Sequence, residues 1–159
     1  MFGYINSAFY LNLMANWKTH LVIGTTLSIG VLTILLFKGW AQLSPTIIYV
    51  PLAVFIGTLL PDIDHHNGKL RTILVGTGIL LIIAGLHWSA LLYVGLVLAA
   101  SAFMMPYIFP HRGVMHSIPL ALIYGLIVLW ITNSALTGGI AGFSVWTHLL
   151  LDKIPFKIK

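Results

Sequence analysis

Apolar residues run through this chain in long blocks, and the polar positions fall almost entirely between them. The first block, residues 19–37, is bracketed by Lys18 and Lys38. As a helix it spans about 28 Å, close to the ~30 Å hydrocarbon core of a bilayer. Ser44-Pro45 predicts a new helix start, with Ser as N-cap and Pro in the first turn, and a second span over residues 45–60 kinked at Pro51. Residues 72–105 carry no charge. One helix of that length would reach about 51 Å, too long for a single crossing. The polar interruption Gly85-Leu86-His87-Trp88-Ser89 therefore predicts a tight hairpin between spans three and four, and span four ends near Pro106 and Pro110. Span five covers residues 117–131, a turn follows from Thr132-Asn133-Ser134 to Gly138-Gly139, and span six covers residues 139–151. The expected fold class is all-α: a polytopic α-helical membrane protein of about six helices. Residues 1–13 read as an N-terminal extension and residues 14–159 as one helical membrane domain.

Composition supports the membrane reading. The chain of 159 residues is 59% hydrophobic and 7% charged, with a mean hydropathy of +1.02. A soluble domain needs far more polar surface. The absence of cysteine excludes disulfides and thiolate metal sites. No basic cluster with interleaved aromatics appears, so no nucleic-acid binding is expected.

With six crossings, alternation of sides places Lys18, Lys69, Arg71, Arg112, Lys153, Lys157 and Lys159 on one face and only Lys38 on the other. That asymmetry marks the cytoplasmic face of an inner membrane and puts both termini there.

The same alternation collects the chemistry. The chain has three acidic residues and seven histidines. All three acids and six of the histidines map to the cytoplasmic face, His87 being the exception. His148 and Asp152 are four apart and share one helix face, where imidazole and carboxylate can bind one ion. Asp62 and Asp64 follow a proline, so they belong to a loop, and carboxylates so spaced can bridge or flank two ions. His65 adds a nitrogen beside them, and His66 reads as a bystander. His111 and His116 share a second loop, in which Gly113 permits a tight backbone. His20 starts the first span.

Four segments carry a resemblance: Thr19-His20-Leu21-Val22-Ile23-Gly24, Leu60-Pro61-Asp62-Ile63-Asp64-His65, His111-Arg112-Gly113-Val114-Met115-His116-Ser117 and Thr147-His148-Leu149-Leu150-Leu151-Asp152. In this order they resemble the LexA-regulated, membrane-bound metal-dependent hydrolase family, also called YdjM-like. The similarity runs from about Met14 to Lys153. Met115 departs from the small or hydroxylated residue expected there. The family is distantly similar to zinc-dependent phospholipase C and its nuclease relatives, which implies phosphoester hydrolysis at a site of several metal ions. On this expectation His20, Asp62, Asp64, His65, His111, His116, His148 and Asp152 hold two or three divalent ions, zinc first, with manganese or iron also admitted. One of Asp62 and Asp64 orients the attacking water. Arg112, and after it Lys69 or Arg71, stabilises phosphate charge. The partners are the bilayer and a phosphoester, lipid or soluble. The rival readings are a transporter or metal-handling membrane protein and a non-catalytic scaffold. Transporters place ionisable groups near mid-membrane, whereas here the ligand-type residues lie at span ends.

Overall fold

The computed structural model describes residues 17–42, 44–109 and 113–153. The order of elements is α1 (Trp17–Phe37), a 3-10 turn (Pro45–Tyr49) leading into α2 (Val50–Leu59), a 3-10 turn (Pro61–Asp64), α3 (Lys69–Gly85), α4 (Ser89–Ile108), a 3-10 turn (Val114–His116), α5 (Ile118–Thr132) and α6 (Ala135–Lys153). Each expected span corresponds to one α-helix, and the described residues contain no strand. α1 and α4 are long and apolar enough to cross a membrane; Pro45–Leu59 and Ile118–Thr132 are shorter apolar helices.

Beside a hydrophobic core, the described residues bury several polar groups and expose many large apolar ones. Among the buried groups are His20, Ser28, Thr58, Thr137, Ser144, Thr147 and His148. Exposed positions include Val22, Leu80, Val97, Leu122 and Trp130, the last at 84%. In water such a surface would cost about 25 cal/mol for every Å² of apolar area left uncovered. In hydrocarbon it is the stable arrangement, because polar groups must then turn inward.

The described helices group into two compact units. One holds the chain up to Thr58 together with the chain from Ile118 onward. Within it α1 buries only His20, Gly24 and Ser28, a stripe of period four. Val50, Val54 and Ile140 form one core cluster, flanked by Leu32 and Leu35. Ala53, Val128 and Ala141 form a second, covered by Tyr124, whose hydroxyl donates to the Ala53 carbonyl at 2.8 Å. α5 and α6 meet backbone to backbone: a Cβ at Gly138 would stand 2.7 Å from the Gly125 carbonyl oxygen.

The other unit is Leu59–Ser117. It contains the antiparallel pair α3 and α4, joined by the tight turn at residues 86–88 as the polar interruption predicts. The turn is closed by backbone bonds from His87 to Ala84 and from Trp88 to Gly85.

As expected, α4 ends between Pro106 and Pro110, at Ile108, with Pro106 inside its last turn. Three local expectations change. Pro51 does not kink a helix: it lies at the second residue of α2, after the 3-10 lead-in, where its missing N–H costs nothing. Asp62 and Asp64 lie on a 3-10 turn rather than in an open loop. α6 begins at Ala135, four residues before the expected start. Asn133 takes a left-handed φ of 49°, and the Ser134 hydroxyl accepts from the Thr137 N–H at 3.3 Å, which caps the helix. Gly138 and Gly139 are thus helical, and Gly138 serves close packing instead of a turn.

Candidate metal centre

In the first unit, the opening turn of α1 presents His20, and the i,i+4 spacing on α6 presents His148 and Asp152. His20 and His148 are 1% and 0% exposed. Their rings stack, with centroids 3.9 Å apart and planes 14° from parallel. Both edges point at one carboxylate. His20 Nε2 lies 3.3 Å from Asp152 Oδ1, and His148 Nε2 lies 3.3 Å from Asp152 Oδ2. One donor atom from each residue falls within 4.8 Å of the other two.

The backbone builds this arrangement from below. α2 stops at Leu59, so the Thr58 carbonyl lies among the last-turn acceptors that helix geometry leaves open. It takes the His148 Nδ1 proton at 2.6 Å. A carbonyl can only accept, so Nδ1 of His148 carries a proton, and Nε2 is the edge that faces Asp152. One turn along α1, Gly24 lets the helix approach: a Cβ there would collide with the Thr58 side chain and stand 3.2 Å from Thr147 Oγ1. The close approach one turn away accompanies the stacking of His20 on His148.

Two imidazole nitrogens and a carboxylate converging in this way are a donor set that could hold a cation. Protonating both rings would stack two imidazolium ions at 3.9 Å, a repulsion of about 4 kcal/mol at an effective dielectric of 20. A divalent ion satisfies all three groups without that repulsion. Tetrahedral zinc with bonds of about 2.0–2.1 Å separates neighbouring donors by about 3.3–3.4 Å, the spacing of both imidazole–carboxylate pairs. The donor set fits. His20 Nδ1 is also buried with no hydrogen-bond partner among the described residues.

The second unit holds its own cluster. The Pro61–Asp64 turn separates its carboxylates: the Asp62 side chain is 22% exposed and that of Asp64 fully buried. His116 stands between them, Nε2 at 3.8 Å from Asp62 Oδ1 and Nδ1 at 3.6 Å from Asp64 Oδ2. These are ion-pair distances, longer than hydrogen bonds. Gly68 closes the segment behind them. Its N–H donates to the His65 carbonyl at 2.9 Å, and a Cβ would strike the Asp62 carbonyl.

Not every expected residue joins a cluster. His65 is exposed, and its Nδ1 accepts the Asn67 N–H at 3.1 Å. Lys69 stands exposed in the first turn of α3. His111 and Arg112 lie outside the described residues. Arg71 is engaged within its own unit: its guanidinium donates to the carbonyls of Ala102 at 3.1 Å, His66 at 2.7 Å and Phe103 at 3.4 Å. The reason lies in Pro106, which has no N–H for the carbonyl four residues earlier, that of Ala102. Arg71 supplies the missing donor. Sequence reasoning also missed Thr58, because the group it contributes is a backbone carbonyl that residue type does not reveal. Gly24 stood in a quoted motif and gains its role only from the packing.

No curated protein and no solved structure matches the chain. The model of a family described as YdjM inner membrane protein matches residues 14–155, which include every described residue and both clusters. The chain therefore belongs to the YdjM inner membrane protein family.

Proposed function

We propose that this inner membrane protein is a membrane-embedded metal-dependent hydrolase acting on a phosphoester, with His20, His148 and Asp152 as its principal metal ligands. The observation that carries the reading is the Asp152 carboxylate bracketed at 3.3 Å by two buried, stacked imidazoles. The Thr58 carbonyl orients one of them, as carbonyls that accept from a histidine's other ring nitrogen do at metal sites. A divalent ion held by these residues, zinc first, would supply Lewis acidity and lower the pKa of bound water.

Hydrolysis forms one bond from phosphorus to water oxygen, breaks one P–O bond to the leaving alcohol, and moves one proton from the water to that alcohol. The second unit has proton-handling groups of its own: Asp62, the more open carboxylate of its cluster, is the group there that can accept a proton from water. His116, with Nε2 toward Asp62 and Nδ1 toward the sealed Asp64, carries it onward. Should a second ion bind, Asp62, Asp64, His116 and His111 are its ligands. Arg112, in the same motif as His116, is the cation assigned to the phosphate charge. Six helices and seven of eight Lys and Arg residues on one side support a multi-pass topology with both termini in the cytoplasm.

The test is turnover of long-chain phospholipids and of water-soluble phosphate esters by purified protein, with chelator and with metal restored. Metal-dependent release of phosphate or alcohol is expected. Stoichiometric metal without turnover of any ester would overturn the hydrolase reading in favour of metal handling.

A further inference from the structure

A groove of about 670 Å³ runs along the first unit between α1 and the 3-10 lead-in to α2. Leu21, Thr25, Ile29 and Leu32 form its α1 wall, at i, i+4, i+8 and i+11. Val50 and Val54, both buried, form its floor. The wall lies one residue, or about 100° of helix, beside the buried stripe of His20, Gly24 and Ser28. The upper end of the groove is therefore next in sequence to a metal ligand of the proposed centre. Its rim includes Val22 and Ile29, 64% and 53% exposed, so the groove opens onto the apolar surface that the burial pattern assigns to hydrocarbon.

We infer that this groove seats an acyl chain of a membrane phospholipid and presents the headgroup phosphoester at the His20 end. The inference rests on the hydrolase reading and narrows its substrate to a lipid. Two arguments choose the occupant. The rim is exposed and apolar on a helix long and apolar enough to cross a membrane, in a chain of an inner membrane protein family, so the apolar ligand that reaches it is a lipid tail. The length also matches: Leu21 to Leu32 spans about 16 Å of helix rise, and one leaflet contributes about half of the ~30 Å core. A chain lying in the groove from its leaflet brings its phosphate to the level of His20. The groove gains nothing from hydrophobic transfer, since lipid tails are as apolar as its walls. Its contribution is registration of the ester against the centre.

The experiment uses the full chain in vesicles of phosphatidylethanolamine and phosphatidylglycerol carrying a trace of phosphatidylglycerol with a photoactivatable acyl chain. Label is mapped by peptide mass spectrometry. Residues 21–32 and 50–54 are expected to carry about tenfold more label than residues 93–101 of α4, a preference of one order of magnitude in binding. Ile29→Trp, which fills the groove, removes the excess; Leu80→Trp, on an exposed face of α3, leaves it. Excess unlabelled long-chain phosphatidylglycerol suppresses the label and a short-chain analogue does not, a readout independent of any variant's folding. Even labelling across α1, α3 and α4 would overturn the groove assignment even where phosphoester turnover is found. Enriched labelling without turnover would leave the groove as a lipid site and remove the hydrolase reading instead.

Discussion

His20 and His148 stack face to face at 3.9 Å, and each turns its Nε2 edge toward a different oxygen of Asp152. Aromatic stacking alone does not require this convergence. A carboxylate reaching both edges from a helix end is the arrangement that the proposed metal centre needs.

The stack depends on how closely α1 approaches, and Gly24 is the position that tests this. Gly24→Leu should force its side chain into Thr58 and Thr147. Overpacking of this kind costs about 1–3 kcal/mol. Displacement of His20 should weaken metal binding by about 10- to 100-fold, as disturbed outer-shell partners do. Thermal unfolding and metal titration in detergent would measure the two effects, and a variant as tight as wild type would show that the approach does not matter.

Arg71 and Pro106 should behave as a coupled pair. Arg71→Met removes the donor to a carbonyl that Pro106 leaves open, at about 1–3 kcal/mol for an unsatisfied group. In a Pro106→Ala background the helix supplies its own N–H, so the same substitution should cost less. A double-mutant cycle of unfolding free energies reads the difference. A direct role for Arg71 on substrate would instead raise KM and leave stability unchanged.

The two carboxylates of the Pro61–Asp64 turn should separate stability from activity. Asp64 is sealed against His116, so Asp64→Ala breaks a buried pair at about 3–5 kcal/mol. Asp62 is the more open. Asp62→Asn should fold like wild type and lose about 100-fold or more in turnover, the scale of a lost general base. Equal effects of the two on melting temperature would contradict this division.

The proposed multi-pass topology can be mapped directly. The chain has no cysteine, so single substitutions report without background. Lys18→Cys and Lys153→Cys should react with an impermeant thiol reagent only from the cytoplasmic side, and Lys38→Cys only from the other. Residues 18 and 153 on opposite sides would rule out six crossings.

Much of this organisation is legible in the residues. Six apolar blocks give six helices because uninterrupted hydrophobic runs in lipid have little alternative to helix. Length demands a break in residues 72–105, and the polar interruption places it at residues 86–88. His148 and Asp152 meet because a four-residue spacing is a helix face. What the sequence conceals is set by backbone and packing. The Thr58 carbonyl that orients His148 is invisible to residue type. The glycines at 138 and 139 look like a turn to local propensity, but helix packing in an apolar medium makes Gly138 a contact. The hydrogen bonds of Arg71 to the carbonyl that Pro106 leaves open, and of His65 with the Asn67 N–H, are likewise invisible to residue type.

Metal content of the purified protein tests the central claim most directly. Elemental analysis of detergent-purified wild type should find at least one stoichiometric divalent ion. His20→Ala and His148→Ala should each remove it, while an exposed control such as His87→Ala keeps it. Wild type without stoichiometric metal after loading, or His148→Ala with unchanged content, would contradict a metal centre at His20, His148 and Asp152.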